Sequence, residues 1–175
     1  MRFRIRRQPT VKAVVYALFC FSLILFASSF LPALSGKVGT PYLLVGAVAA
    51  LARFEDVRYA SVFGLLFGTV EAVLFGESLL FVPLFYTAFA LLCAFVFENW
   101  FAGNFFSWLL CDTVGILLHL LLLLFAIVSA WDISAADALC DPVLPDLIAS
   151  FAFSVPLYPI FKRISSRIRR MEGGV

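Results

Sequence analysis

The stretch FFSWLLCDTVGILLHLLLLLFAIVSAW, residues 105–131, decides the fold. Its 27 residues contain one carboxylate, Asp112, and one imidazole, His119, in an otherwise apolar run with a leucine-rich middle at 116–128. A helix of this length rises about 40 Å at 1.5 Å per residue, more than a hydrocarbon core of about 30 Å. Trp108 and Trp131 are expected at the two membrane interfaces, where indole rings are enriched. The whole composition repeats this message. Of 175 residues, 63% are hydrophobic, 17% aromatic and 14% charged. A soluble domain carries about 45–50% apolar and about 25% charged residues. A soluble fold of this size would leave much of the excess in water, whereas a bilayer solvates it.

Five further apolar runs flank the first. Residues 13–31 form the first candidate span, closed by Pro32; it is too long for the apolar part of a cleaved signal. Residues 38–52, between Lys37 and Arg53, form a short second candidate that either spans with little tilt, thins the bilayer or is re-entrant. Arg53, Glu55, Asp56 and Arg58 make a charged turn. Residues 59–75 and 79–97 are the third and fourth runs, separated by Gly76, Glu77 and Ser78, with Pro83 early in the fourth. A loop at 98–104 leads to the run at 105–131, and an acidic loop at 132–146 leads to the last run, 147–161. Pro156 and Pro159 predict a kink there. The expected fold is an all-α integral membrane protein: one domain over residues 1–175, a bundle of about six transmembrane helices, with basic tails at 1–12 and 162–175.

Charge placement orients the bundle. Arg2, Arg4, Arg6, Arg7 and Lys12 precede the first run, and Lys162, Arg163, Arg167, Arg169 and Arg170 follow the last, leaving few of the 13 basic residues elsewhere. Basic residues beside span ends favour the cytoplasmic side, so both termini are expected in the cytoplasm. Next to membrane anchors, such tails read as topology signals and contacts to anionic lipid rather than as a nucleic-acid surface. The four cysteines form no C-x-x-C pair, and no disulfide is expected.

Chemistry-bearing residues are few. Glu71, Asp112 and His119 stand inside apolar runs, where ionisable groups usually face the protein interior or water. Asp112 and His119 are two helical turns apart and share a face. They are candidate buried polar residues: a packing seam, a proton relay or, for Asp112, a headgroup contact. Gly64 and Gly68 form G-x-x-x-G, which admits close approach of a second helix; with Glu71 they are the candidate helix-packing or partner interface. A single histidine with scattered carboxylates is a poor metal-ligand set. No nucleophile elbow or phosphate loop is present. No catalytic residue, metal or cofactor is expected, and the protein is not expected to be an enzyme.

The stretch FGLLFGTVEAVLFGESL, residues 63–79, resembles the most recognisable region of the MreD family, the rod shape-determining membrane proteins of bacteria. It pairs a glycine-leucine helix with an acidic residue and a glycine turn, although Glu71 stands where the family usually has aspartate. Pro41 opening an apolar run, the leucine-rich fifth helix and the ending from Pro145 through SVPLYPIFKR, residues 154–163, also fit. The resemblance implies a non-enzymatic scaffold of the cell-wall elongation machinery in the inner membrane. Its expected partners are MreC and, in a larger assembly, RodA, a class B penicillin-binding transpeptidase and MreB. It also implies a fold shared with the substrate-binding subunits of energy-coupling-factor transporters. The alternative function is therefore such a vitamin-binding subunit, with Glu77 and the aspartates of 132–146 near its outer pocket. A proton-coupled carrier would rest on Glu71, Asp112 and His119 alone.

Overall fold

A computed structural model describes residues 9–26, 42–75, 80–99, 104–131 and 144–173. The expectations concerning Pro32, Lys37, Pro41, the turn at 76–78, Glu77, the loop around Trp100 and Gly103, and Cys140 with most of the acidic loop fall outside these residues. Among the described residues seven helices follow one another: α1 (Pro9–Leu25), α2 (Leu43–Phe54), α3 (Val57–Phe75), α4 (Phe81–Asn99), α5 (Phe105–Trp131), α6 (Leu144–Ser154) and α7 (Leu157–Gly173). The protein is an all-α membrane bundle. Four stretches are long and apolar enough to cross a bilayer: Val57–Leu74, Phe81–Asn99, Phe105–Phe125 and Leu147–Ile168, the last running through α6 and α7. The apolar parts of α1 and α2 are shorter.

Local sequence sets several boundaries. Asp56 and Asn104 directly precede α3 and α5, and both are favoured N-cap residue types. Their carbonyls receive the first helical amides, from Ala60 (3.1 Å) and Trp108 (3.3 Å). Pro83 lies in the first turn of α4, where a missing N–H costs little. Pro156 does break a helix. It cannot donate to the Ala152 carbonyl, and the chain turns at 155–156 between α6 and α7. Helix α7 carries the basic tail: it continues as helix through Gly173.

Helix α2 is the centre of the bundle. It packs against all six other helices, and every residue from 43 to 52 is buried. Whether this short run spans with little tilt, thins the bilayer or is re-entrant, it is enclosed by protein over residues 43–52. A helix apolar on all sides is a buried one, and Gly46, Ala47, Ala49, Ala50 and Ala52 keep it thin enough to surround. The lipid-facing shell is made by the other helices. Val62, Leu65 and Leu66 of α3, Leu84, Leu91 and Phe95 of α4, and Leu110, Leu117, Leu121 and Phe125 of α5 are exposed large apolar residues. They account for the apolar excess in the composition.

Lys12 of α1 and Ser165 of α7 both reach Glu55, between α2 and α3. Helices α1 and α7 thus meet at one carboxylate beside the α2–α3 turn.

Candidate functional site

The inward face of α5 carries Trp108, Cys111, Asp112, Gly115, Ile116, His119 and Leu120, all buried at helical spacing. It lies against α2, which runs the opposite way. Near one end, the Trp108 indole Nε1–H donates to the Gly46 carbonyl (3.4 Å). The expectation that Trp108 sits at a membrane interface is corrected here: its side chain is fully buried, and the ring packs at tilted angles against Phe105 and Tyr158. A tryptophan satisfies its single donor as well on a helix carbonyl as on a headgroup. One turn further, Asp112 faces Gly46; a Cβ at residue 46 would stand 2.9 Å from its Oδ1. Gly115 fits against α4 and α2, where a Cβ would come 2.3 Å from Phe89 Cζ and 2.7 Å from Val45 Cγ1. Beyond it, His119 lies beside the Tyr42 ring (4.4 Å between centroids), with Phe85 and Tyr86 of α4 completing an aromatic surround.

Asp112 and His119 are 0% and 4% exposed. Both point into the bundle, so a headgroup contact for Asp112 is excluded. From α6, the Ser154 hydroxyl lies beside the carboxylate, yet it donates to the Phe151 carbonyl (3.3 Å). Neither Asp112 oxygen accepts a well-formed hydrogen bond among the described residues. One turn earlier on α6, Ser150 accepts the Tyr42 amide at the start of α2 (2.9 Å). That hydroxyl does for α2 what a capping residue of its own would do; Tyr42 makes no side-chain cap. Substituting Ser150→Ala should lower unfolding free energy by about 1 kcal/mol. Denaturant titration in micelles reads this, and an unchanged midpoint would remove the bond from the ledger of α2.

Gly64 and Gly68 face α4. A Cβ on Gly64 would stand 2.8 Å from the Tyr86 carbonyl oxygen, and one on Gly68 2.7 Å from Pro83 Cα. Of the two uses open to the motif, close packing inside the chain is the one realised by these glycines. Glu71, one turn on, is buried at 2% exposure.

A second polar cluster was not legible as a site. Glu55 pairs with Lys12 of α1 and accepts hydrogen bonds from Tyr16 (2.6 Å) and Ser165 of α7 (3.3 Å). Lys12 also lies over the Tyr59 ring at 5.3 Å. The one sequence signal was Glu55 itself, an acid among arginines.

Cys20, Cys93 and Cys111 are buried free thiols. Among the described residues, no three His, Cys, Asp or Glu side chains are grouped to hold a metal ion. Among the described residues, α5, α2 and α6 line a buried polar seam with Asp112 at its middle.

The chain matches no family model, no curated protein and no solved structure.

Proposed function

We propose that this protein is a non-enzymatic membrane scaffold of the MreD kind. It would hold MreC in the bilayer and, through it, the peptidoglycan synthases RodA and a class B penicillin-binding transpeptidase, with MreB beneath. One observation carries the reading: the likeness of residues 63–79 and 154–163 to that family. The first stretch supplies the glycine face of α3, and the second supplies the break from α6 into α7. Glu71 is buried within the first, as expected of an acidic residue kept for the architecture of a membrane helix. In this reading the membrane is the bacterial inner membrane, and the end of the bundle holding Lys12, Lys162, Arg163 and Arg167 faces the cytoplasm. Partner spans would meet the outward leucine and phenylalanine faces, since Gly64 and Gly68 are taken up by α4.

The rival reading, a vitamin-binding subunit of an energy-coupling-factor transporter, is favoured by the buried polar seam around Asp112. The two separate in one preparation. Full-length protein is co-expressed with an MreC-like single-span partner, purified from membranes and assayed for bound vitamins. Stoichiometric co-purification of the partner is expected. Failure to pair, together with retention of a vitamin, would overturn the scaffold reading.

A further inference from the structure

Helix α7 is amphipathic, and its apolar side is taken up by the bundle. Leu157, Tyr158, Phe161, Ser165 and Ile168 are buried. Phe161 stacks on Tyr16 and meets Phe19 edge to face, and the helix packs chiefly on α2. Lys162, Arg163, Ser166, Arg167 and Arg170 are exposed. With about 3.6 residues per turn, these five form one stripe, roughly 12 Å long, opposite the buried side.

The charge of the stripe is uncompensated. Among the described residues none of its four cations forms an ion pair. The carboxylate that touches α7, Glu55, lies on the buried side, where Lys12 and Ser165 hold it. Arg163 and Arg167 are four residues apart, and Arg170 follows three later. Like charges at these spacings are neighbours on a helix and destabilise it unless an anion lies between them. Ser166 turns its hydroxyl back onto the Arg163 carbonyl (2.8 Å), so no bulky or acidic group interrupts the row. The apolar run through α6 and α7 sets its height. That candidate span ends at Ile168, so the stripe covers the last turns of the span and the residues just past it. Hydrocarbon gives way to headgroups there, and long basic side chains extend toward them.

We propose that the outward face of α7 is a binding site for anionic phospholipid, with Lys162, Arg163, Arg167 and Arg170 holding the headgroup phosphates. General attraction of a basic tail to anionic lipid needs no fold. Here the four cations are fixed on one face of a helix whose other face is anchored, so binding a headgroup orders little that is not already ordered. The site is independent of the scaffold reading, because it concerns lipid rather than a protein partner.

The test removes the same charge at two places. The full chain and two variants are reconstituted in vesicles of equal parts phosphatidylcholine and phosphatidylglycerol. They are then extracted in mild detergent, and the retained lipid is counted by native mass spectrometry. One quadruple variant changes Lys162, Arg163, Arg167 and Arg170 to glutamine; the other changes Arg2, Arg4, Arg6 and Arg7. A single basic side chain near an anionic surface is worth about a fivefold preference, so the unaltered protein should retain phosphatidylglycerol by at least about that factor. The α7 variant should bring the ratio close to parity, and the N-terminal variant should leave it high. If the α7 variant is not a monomer, the pairs Lys162→Gln with Arg163→Gln and Arg167→Gln with Arg170→Gln are read separately, and each should lower the ratio. No preference in the unaltered protein would overturn the proposal and leave the stripe to an acidic protein. Equal losses in the two quadruple variants would also overturn it, since net charge alone would then explain the preference. So would release of the lipid by inorganic phosphate but not by chloride at equal ionic strength, which would make the stripe a site for free phosphate.

Discussion

Replacing Gly64 and Gly68 together by leucine should abolish the folded monomer. Both glycines meet backbone atoms of α4 at distances no side chain tolerates, and backbone cannot swing aside as a side-chain tip can. Leucine at these positions would force α3 and α4 apart along their whole contact. Overpacking one well-filled site costs about 1–3 kcal/mol, and two sites on one interface, both against backbone, exceed that. Most domains have only about 5–15 kcal/mol to lose. Detergent-solubilised protein should shift from a single monomer peak to aggregate on size exclusion. Val62→Leu, on the lipid-facing side of the same helix, should leave the peak unchanged and controls for added bulk. A stable monomer from the double variant would mean that the α3–α4 contact is looser than described.

The next largest effect is expected at Glu55. Its side chain is 3% exposed and that of its partner Lys12 is 14% exposed. Breaking a buried ion pair by removing one member costs about 3–5 kcal/mol, because the other charge stays behind. Glu55→Ala should cost about 3 kcal/mol, near the lower bound, since Lys12 can turn partly toward water. It also strands the hydroxyls of Tyr16 and Ser165. Glu55→Gln should recover part of the loss, because an amide oxygen still accepts from Tyr16. Denaturant unfolding of the three proteins gives the comparison. An alanine variant within about 0.5 kcal/mol of the parent, the range of ordinary surface changes, would show that the cluster does not tie α1 and α7 to the bundle.

Helix existence was readable because lipid and protein interior demand the same thing, a long apolar run. The limits of α5 at Phe105 and Trp131 follow from composition alone. That sameness also hides which face points inward. Leucines 110, 117 and 121 face out, and nothing in their hydrophobicity distinguishes them from Ile116 or Leu120, which face in. The distinguishing signal is small and polar residues: Asp112, Gly115 and His119 fall every three or four positions, with Cys111 beside the first, and trace the inward face. Trp108 belongs to that series, and reading it through the interface rule alone misplaced it. The shortness of the second run raised the question of how it sits in a bilayer, while its glycine and alanines were the sign of a helix that other helices surround. The Glu55 cluster joins residues far apart in sequence, and no local pattern announces such a meeting. The buried carboxylate was visible, but its position at the end of α6 depends on where Pro156 breaks the chain.

The enclosure of α2 bears on how the protein is made. Twelve helical residues reach about 18 Å, well short of a hydrocarbon core of about 30 Å, and the segment is rich in alanine, a feeble anchor in oil. Among the described helices only α1 precedes it, and most of the helices that wall it in emerge afterwards. Its resting place does not exist when it leaves the translocation channel. Its enclosure is complete only once α3, α4 and α5 have arrived, so α2 is seated later than its place in the chain implies.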